Sequence, residues 1–412
     1  MFLLLTIFFI LFKDDKIIDE KHHICSPDFD RNQIDEPIYK LKHQLTSPGF
    51  PKVPKTFNST VASLKNESAE SSPNVIPNFS SVKSSLYRHR NSAAKLPKLH
   101  CKNVKEVQVP PDFEDFLLAD YMNGNTRIIV FCSKKARELM CQIKDYYGDG
   151  TFKSCSPPFV QLYTIHGDDG STLNDTNVVP MVYALMSNRT AESYKILFSL
   201  IQSRIPEWNP IKFKTDFEKA AMKAITETFP STLLKGCYFH YNKAVWKKGR
   251  ELGLVKSKDI KKKRMVSLSA VIPLLPHSEI RNGWDYIVRD KNEDSDVANF
   301  KTYMEKQWLE DSFIKVWCAF GEKHRTTNAL ESWHHKLNIA IGEKGPNIMN
   351  LLHSLKEDAS FYLTQNRKRT NQRPMAKRSE KYIRRDEFIQ DAQNELTHGD
   401  ISVGHFLEIM RC

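Results

Sequence analysis

Residues 145–166 read DYYGDGTFKSCSPPFVQLYTIH, and the prediction of the fold starts from the pattern of this segment. It contains two runs rich in aromatic and β-branched residues, 146–153 and 159–166, which are separated by Ser, Cys and Pro. Short runs of this kind between turn-forming residues predict β-strands. A third such run follows at 178–186, so the sequence predicts three successive strands of an antiparallel meander.

Helix and strand patterns alternate after the meander. Residues 191–203 carry apolar side chains at i, i+3, i+4 and i+7 from Tyr194, a spacing typical of an amphipathic helix. We then predict a strand over 211–215, a helix over 217–229 and a strand over 233–239. This order predicts an α/β fold, with a mixed five-stranded sheet, helices on both faces, and the first and fourth strands as neighbours.

The rest of the chain divides into further segments. Residues 127–131 (RIIVF) predict one more strand, and a helix is expected over 327–341. The Ser-, Asn- and Pro-rich composition of 25–106 predicts a disordered arm, because so few apolar side chains cannot offset the entropy of ordering. The predicted segments are an apolar N-terminal stretch (1–24), a disordered arm (25–106), the first part of the core (107–241), a helical insertion (242–325), a core helix (326–360) and a basic helical tail (361–412).

Three acidic residues fall where this sheet would bring them together. Asp149 lies in the first strand of the meander, Asp216 at the end of the fourth strand, and Glu331 on the late helix. Each residue also has a structural alternative. The Gly-Asp-Gly sequence around Asp149 is common in turns, Asp216 is placed to cap the next helix, and Glu331 with Asn328 has the spacing of a capping box.

Three carboxylates gathered at one place repel one another. At about 4 Å and an effective dielectric constant near 20, each pair costs on the order of 4 kcal/mol. Because hard oxygen ligands select Mg²⁺ or Mn²⁺, the cluster predicts a divalent-ion site. Two such ions about 4 Å apart could activate a water or a 3′-hydroxyl and stabilise the leaving oxygen during attack on a phosphodiester.

Positive charge is concentrated in two stretches of the 412-residue chain, whose formal net charge is +12. Residues 243–264 contain ten Lys or Arg and two acidic residues, and 367–385 contain nine and one. Such runs are common on solvated surfaces, but here they predict contacts with DNA phosphates, and 261–264 (KKKR) also fits a nuclear import signal. The candidate DNA-binding residues are Lys247, Lys248, Lys261, Lys262, Lys263, Arg264, Arg367, Lys368 and Arg369.

Two features bear on the cellular compartment. Eight cysteines are scattered without a repeating spacing, which favours reduced thiols inside the cell. Residues 1–12 (MFLLLTIFFILF) instead resemble the apolar part of a secretory signal, although the run has no basic start and no small-residue cleavage site. It is also shorter than the about 20 residues that span a bilayer. We expect a nuclear protein with no membrane partner, and secretion is the alternative.

Several motifs, in order, resemble the transposase domain of the Mutator-like element (MULE) superfamily. The matching segments are DGTFK (149–153), FVQLYTIH (159–166), PMVYAL (180–185), TDFE (215–218), GCYFH (236–240) and TTNALE (326–331). The resemblance covers roughly 145–355 and implies a ribonuclease H-like fold whose DDE triad cuts and rejoins DNA. It places the triad on Asp149, Asp216 and Glu331, all three as ligands of Mg²⁺ or Mn²⁺.

Cys237 and His240 form the C-x-x-H pair that this family carries after its second Asp. Zinc needs four ligands, and His334 and His335 could complete such a site in space. The alternative is that Cys237 is structural and His240 lines the active site. Complete transposases of this kind usually carry an N-terminal DNA-recognition module or a C-terminal SWIM finger, and no such Cys/His pattern stands out here. The leading hypothesis is a transposase-derived enzyme that acts on DNA, as a homo-oligomer if active. The alternative is a domesticated, catalytically inactive DNA-binding or regulatory protein on the same fold.

Overall fold

The computed structural model of the chain describes residues 7–13, 16–23, 38–46, 53–67, 79–93, 101–289, 294–322, 324–342, 344–370 and 376–411. Contacts within the chain divide it into two units, Met1–Pro97 and Lys98–Cys412. The predicted acidic residues all belong to the second unit.

The described residues of the first unit form a hairpin and three helices. Strand β1 (Ile7–Lys13), which includes part of the apolar stretch, pairs antiparallel with β2 (Lys16–His23). The helices are α1 (38–45), α2 (Val53–Glu67) and α3 (Phe79–Ala93).

These helices occupy much of the stretch for which composition predicted a disordered arm. Their buried apolar side chains form one cluster, which consists of Leu41, Leu45, Val53, Phe57, Leu86 and Tyr87. Leu41 and Leu45 are four residues apart, as are Val53 and Phe57, so each pair lies on one helix face. The prediction differs from the structure because it used the low average content of apolar residues and did not consider their regular spacing. The parts of the predicted arm at 25–37, 47–52, 68–78 and 94–100 lie outside the described residues.

A seven-stranded mixed sheet forms the centre of the second unit. The strands of this part of the chain are β3 (Leu117–Asn123), β4 (Thr126–Phe131), β5 (Asp145–Thr151), β6 (Gln161–Asp168), β7 (Asp175–Thr176), β8 (Val178–Met186), β9 (Lys212–Thr215) and β10 (Leu233–Gly236). The order across the sheet is β10-β9-β5-β6-β8-β4-β3, and the short β7 lies outside it.

Strand directions divide the sheet into two parts. From β5 through β6, β8 and β4 to β3, each strand runs antiparallel to its neighbour. On the other side of β5, strands β9 and β10 run parallel to it. The predicted neighbourhood of the first and fourth strands is therefore found between β5 and β9.

The sheet has seven strands and not the predicted five. Strand β4 pairs with the outer edge of β8, and β3 pairs with β4. Eight of the nine residues of β8 are buried, so its outer edge needs backbone hydrogen-bond partners that another strand supplies. Gly124, with φ of +59°, occupies the tight turn between β3 and β4. The sequence predicted a strand at 127–131 without assigning it to the sheet, and it did not predict β3.

One face of the sheet is covered by three helices. These are α4 (Lys134–Met140), α5 (Ala191–Arg204) and α6 (Lys219–Thr228). Their apolar side chains pack against sheet residues such as Tyr146 and Phe213 in one continuous cluster. This face is therefore the main hydrophobic core of the sheet.

A second apolar core follows β10, in the region predicted as a helical insertion. Its described helices are α7 (Tyr238–Glu251), α8 (Ile260–Val271), α9 (Ile280–Val288), α10 (Ser295–Gln307) and α11 (Asp311–Trp317). Trp284, Trp308 and Trp317 are buried among them. The tryptophans that marked this region in the sequence hold its helices together.

Two later helices cover the opposite face of the sheet. They are α12 (Asn328–Ile341) and α13 (Ile348–Thr370). The ring of Trp333 on α12 lies 5.8 Å from the ring of Tyr183 on β8. Helix α12 therefore brings the predicted acidic residue Glu331 to the sheet face opposite the main hydrophobic core.

The C-terminal residues predicted as a basic tail instead join the second apolar core. After β11 (Ala376–Lys377), which pairs with β7, the chain forms α14 (Glu380–His398) and α15 (Val403–Met410). Ile389 and Phe406 are buried in the core of the α7–α11 region. The tail prediction differs from the structure because one narrow face of these helices is apolar, while their other faces carry the charged residues that the prediction counted.

Candidate functional site

Asp149 lies within β5 rather than in a turn. An added Cβ at Gly148 would overlap the side chain of Tyr163, and one at Gly150 would lie 2.8 Å from Gln161 Oε1. The two glycines therefore allow close packing of neighbouring strands. Asp149 itself is buried, and its Oδ1 accepts a hydrogen bond from the Gly150 N–H at 2.9 Å.

Asp216 follows β9 directly and lies beside Asp149. Gly148 of β5 pairs in register with Thr215 of β9, so the two aspartates are the next residues on parallel strands. Neighbouring strands are about 4.8 Å apart. Burial and then the charge of Asp149 raise the pKa of Asp216 above its ordinary value. The two carboxylates thus repel each other at the carboxyl ends of β5 and β9.

The predicted capping role of Asp216 is present in another form. Its Oδ1 accepts a hydrogen bond from the backbone N–H of Glu218 at 3.1 Å, which shapes the turn between β9 and α6. The residue at the N-cap of α6 is Glu218, and its side chain makes no capping hydrogen bond. Asp216 therefore combines a structural contact with its place beside Asp149.

Helix α12 contributes Glu331 and, three residues later, His334. Positions i and i+3 share one face of a helix, so both side chains point toward the sheet edge. His334 Nδ1 lies 3.4 Å from Asp149 Oδ2, and Glu331 Oε1 lies 3.7 Å from His240 Nε2. The N-terminus of α12 has no side-chain cap, so the capping-box alternative for Glu331 is not what the structure has.

His240 lies among the three acidic residues. Burial alone would lower its pKa, but the adjacent Cys237 and the charges of Asp149 and Asp216 outweigh burial and raise the pKa to about 9. Its Nε2 faces Glu331. At neutral pH the imidazole is therefore positively charged, and it partly compensates the carboxylates that surround it.

A buried polar chain continues from Asp149 into the sheet. His334 Nε2 lies 3.4 Å from Thr164 Oγ1, which in turn lies 3.2 Å from His166 Nε2. Burial, together with the nearby His334, lowers the pKa of His166 well below its ordinary value. Sequence reasoning missed Thr164 and His166, although both alternate with apolar residues along β6 and so share the face that carries Asp149.

The fit to a divalent cation is partial. Asp149 and Asp216 supply two neighbouring carboxylates, the hard oxygen ligands that Mg²⁺ and Mn²⁺ prefer. Within the part of the chain that the structure describes, no three or more His, Cys, Asp or Glu side chains are grouped so that they could hold a metal ion. The third acid, Glu331, is directed at His240 instead.

The zinc alternative likewise lacks a group of three or more metal-binding side chains among the described residues. Cys237 Sγ accepts hydrogen bonds from both the backbone N–H and the hydroxyl of Thr327, each at 3.2 Å. His334 contacts Asp149, and His335 is exposed. Cys237 therefore fixes the start of α12 next to His240, which corresponds to the structural alternative for this pair.

A polar cavity of about 610 Å³ lies on the same sheet face as the acidic pair. Its lining includes Tyr147 and Lys214, each two residues before an acidic residue of the pair. Lys214 is buried, and its Nζ donates to Glu322 Oε2 at 3.1 Å. Sequence reasoning missed this ion pair, whose one signal was the alternation of Lys with apolar residues in β9.

The predicted DNA-binding residues fall into distinct groups. On α8, Lys262 forms an ion pair with Asp294, and Arg264 forms one with Glu408 of α15. Lys261 and Lys263 on the same helix are exposed. The KKKR run is therefore not a uniform solvated patch, because Lys262 and Arg264 form ion pairs with acidic residues from other parts of the chain.

Helix α7 carries the other predicted residues of the first stretch. Lys247 is exposed, whereas Lys248 Nζ lies 5.6 Å from the centre of the Tyr303 ring and faces α10. Trp246 is partly buried against the second apolar core, in agreement with a core position. Arg367, Lys368 and Arg369 lie at the end of α13, where the side chains are outside the described part of the structure.

The comparisons with known proteins agree with the sequence resemblance. Residues 146–244 match the family model of the MULE transposase domain. This range includes β5 to β10 with Asp149 and Asp216, and it ends within α7, before α12 and Glu331. No curated protein matches the chain. Among the described helices, none is both long and apolar enough to cross a bilayer.

Proposed function

We propose that this chain, whose residues 146–244 match the MULE transposase domain, is a transposase-derived enzyme that cleaves DNA and transfers strands by DDE chemistry. The observation that carries the proposal is the juxtaposition of Asp149 and Asp216 at the carboxyl ends of two neighbouring parallel strands. Helix α12 places Glu331 at the same edge, across the His240 ring.

The sheet topology supports a ribonuclease H-like core. Strands β8, β6 and β5 form an antiparallel meander, and β9 and β10 extend it in parallel on the side of β5. This is the strand order that the family resemblance implies. Strands β3 and β4 then are an addition at the edge of β8, and the α7–α11 region is the insertion before the last acidic residue.

Each acidic residue has a defined place in the proposed mechanism. Asp149, Asp216 and Glu331 would be the residues that hold two Mg²⁺ or Mn²⁺ ions. Such ions activate the attacking hydroxyl and stabilise the leaving oxygen at a phosphodiester. The contact of His334 with Asp149 orients the carboxylate, and Cys237 and Thr327 fix the start of α12. For Glu331 to complete the site, its side chain must leave His240.

The proposed partner is DNA, and the proposed compartment is the nucleus. A transposase domain acts on DNA, and the chain carries a formal net charge of +12. Action at two ends of an element further suggests a homo-oligomer. A full-length fluorescent fusion tests the compartment, because N-glycosylation of that fusion in the secretory pathway would contradict a nuclear location.

Mg²⁺-dependent nicking of plasmid DNA that carries candidate terminal repeats tests the proposal. We expect Asp149→Asn and Asp216→Asn each to reduce nicking by more than about 100-fold, the scale of removing one preorganised group that stabilises charge. Asp145→Asn is the matched control, because Asp145 lies on the same strand face at the other end of β5. It should leave nicking within about 2-fold of wild type.

The second candidate function is a DNA-binding or regulatory protein that no longer cuts DNA. The arrangement of side chains favours it at one point: among the described residues, Glu331 and the two aspartates do not form a ready metal-binding group. Under this alternative, wild type and Asp216→Asn bind DNA equally well and neither nicks it with Mg²⁺ or Mn²⁺. That result would replace the enzymatic proposal.

A further inference from the structure

One face of α7 carries exposed positive charge next to the acidic site. Lys243, Lys247 and Arg250 are exposed and occur at i, i+4 and i+7, so they lie on one side of the helix. Phe239 is 40% exposed and precedes Lys243 by about one turn. Its ring lies 5.7 Å from the ring of His240. We call Phe239, Lys243, Lys247 and Arg250 the α7 stripe.

The charges of the α7 stripe are largely available to a partner. Lys247 Nζ lies 3.8 Å from Glu251 Oε1, and both side chains of this pair are more than half exposed. Exposed ion pairs of this kind contribute little to the stability of the fold, so Lys247 can leave Glu251 and contact a ligand instead. For Lys243 and Arg250, no ion pair occurs within the described residues.

The neighbouring helix α8 gives the contrast. Lys262 is paired with Asp294, while Arg264 is paired with Glu408 and lies over the Tyr286 ring at 5.4 Å. These ion pairs link α8 to the start of α10 and to α15. The sequence counted both helices as one basic stretch, but the structure separates the ion-paired Lys262 and Arg264 of α8 from the exposed side chains of the α7 stripe.

We propose that the α7 stripe holds the DNA segment that flanks the phosphate at the acidic site. Lys243, Lys247 and Arg250 contact successive backbone phosphates, and the exposed face of Phe239 stacks on a base close to the reacting phosphate. This inference rests on the proposed function, because it assumes that the acidic residues act on DNA.

The position of α7 indicates the direction in which the bound DNA strand would run. The helix starts at Tyr238, directly after Cys237, and His240 on its first turn faces Glu331. At 1.5 Å per residue, the charged residues are spaced about 6 Å and 4.5 Å along the axis, which long side chains bridge to neighbouring phosphates. A strand held at the acidic residues therefore runs along α7 away from the sheet.

The test compares two triple variants of the full-length chain with equal loss of charge. The stripe variant is Lys243→Gln, Lys247→Gln and Arg250→Gln. The control variant is Lys256→Gln, Lys258→Gln and Lys306→Gln, three exposed residues of the same helical region that are not among the predicted DNA-binding residues. Binding of a labelled duplex of about 30 base pairs is followed by fluorescence anisotropy over a range of salt concentrations.

For the stripe variant we expect a Kd at least about 10-fold higher at moderate salt, and a slope of log Kd against log salt lower by about 2 to 3, because each phosphate contact contributes about 0.9. The control variant should stay within about 2-fold of wild type. Phe239→Leu should weaken binding of a single-stranded oligonucleotide by about 5-fold or more and affect the duplex less.

Equal effects of the two triple variants would overturn the inference, because binding would then follow total charge and not the α7 stripe. Absence of DNA binding by the wild-type chain would overturn it as well. Circular dichroism of both variants checks that the helices are retained. The nicking assay with Asp216→Asn reports on the proposed function separately, so a failure of the enzyme and a failure of the α7 stripe give different results.

Discussion

The two faces of the β5–β9 strand pair have opposite chemistry, although they are built from alternate residues of the same strands. On one face, Tyr146 and Phe213 stack on each other with ring centres 6.4 Å apart inside the main hydrophobic core. On the other face, Tyr147 and Lys214 line a polar cavity, and Asp149 contacts His334. A shift of one residue along a strand therefore moves a side chain from the apolar face to the polar face.

The polar face contains groups in unfavourable environments. Burial lowers the pKa of Lys214, and burial and Asp149 raise that of Asp216. Each shift means that the charged form is less stable in the fold than in water. Partners such as Glu322 and His240 compensate part of this cost. The buried residues that form the apolar face are hydrophobic and uncharged, so we expect substitutions on the two faces to change stability in different ways.

The largest effect on stability should come from the apolar face. Phe213→Ala removes a fully buried ring that contacts Tyr146 and Phe198. We expect a loss of about 3–5 kcal/mol in the free energy of unfolding, since a cavity adds to the lost burial. Urea unfolding measures this as a lower midpoint with an unchanged m-value.

Ile211→Ala is the control for this prediction. Ile211 directly precedes β9 but is 59% exposed, so its truncation should cost less than about 0.5 kcal/mol. If both variants lose the same stability, the β5–β9 face is not the main core and the comparison of the two faces fails.

A smaller effect is expected for the ion pair on the polar face. Glu322→Gln leaves the buried Lys214 ammonium without its carboxylate, while Lys212 keeps access to water. We expect a loss of about 2–3 kcal/mol at pH 7, below the full cost of breaking a buried pair because the cavity admits water. Glu227→Gln, at an exposed ion pair with Lys195, should be neutral.

The contribution of this ion pair to stability should depend on pH, and the lowered pKa of Glu322 determines in which direction. Burial works against the ionised form of Glu322, but Lys214 and Lys212 outweigh it and lower the pKa below 4.5. The ion pair therefore stabilises the fold above pH 4.5, and this contribution is lost as the pH falls through the lowered pKa. The stability difference between wild type and Glu322→Gln should shrink in that range. A difference that stays constant down to pH 3 would contradict the assignment.

The sequence predicted the features that depend on local pattern. Residues 146–153 and 211–215 were recognisable as strands, and alternation with helices made β5 and β9 neighbours. That neighbourhood was enough to place Asp149 beside Asp216. The additional strands were harder. The pattern of 127–131 predicted β4 as a strand but not its pairing with the edge of β8, and β3 was not predicted at all.

Contacts between distant segments could not be predicted from the sequence. Glu408 lies 144 residues after its partner Arg264, so the KKKR run looked like a free basic patch. His334 was considered only as a zinc ligand, because nothing in its local sequence indicates the contact with Asp149. Likewise, the apolar residues of α14 and α15 can be recognised as core residues only once these helices are seen to pack against the second apolar core.

The smallest expected effect is a gain of stability at the acidic pair. Because the pKa of Asp216 is raised, its ionised form destabilises the fold above that pKa, and the effect disappears below pH 3.8, where the carboxyl is protonated in both states. Asp216→Asn keeps an oxygen for the Glu218 N–H and removes the repulsion with Asp149. We therefore expect this variant to be more stable than wild type at pH 7 by about 1 kcal/mol, because the buried charge and its repulsion with Asp149 are removed.

Asp216→Ala separates the two roles of this residue in the same unfolding experiment. Alanine removes the repulsion but also the acceptor of the Glu218 hydrogen bond, which is worth about 1 kcal/mol, so its stability should be close to that of wild type. The gain from asparagine should also vanish as the pH approaches 3.8. If asparagine instead destabilises the fold at pH 7, the charge of Asp216 is already well compensated by His240. The polar face would then hold no unfavourable charge at its acidic end, and the contrast between the two faces would be limited to Lys214.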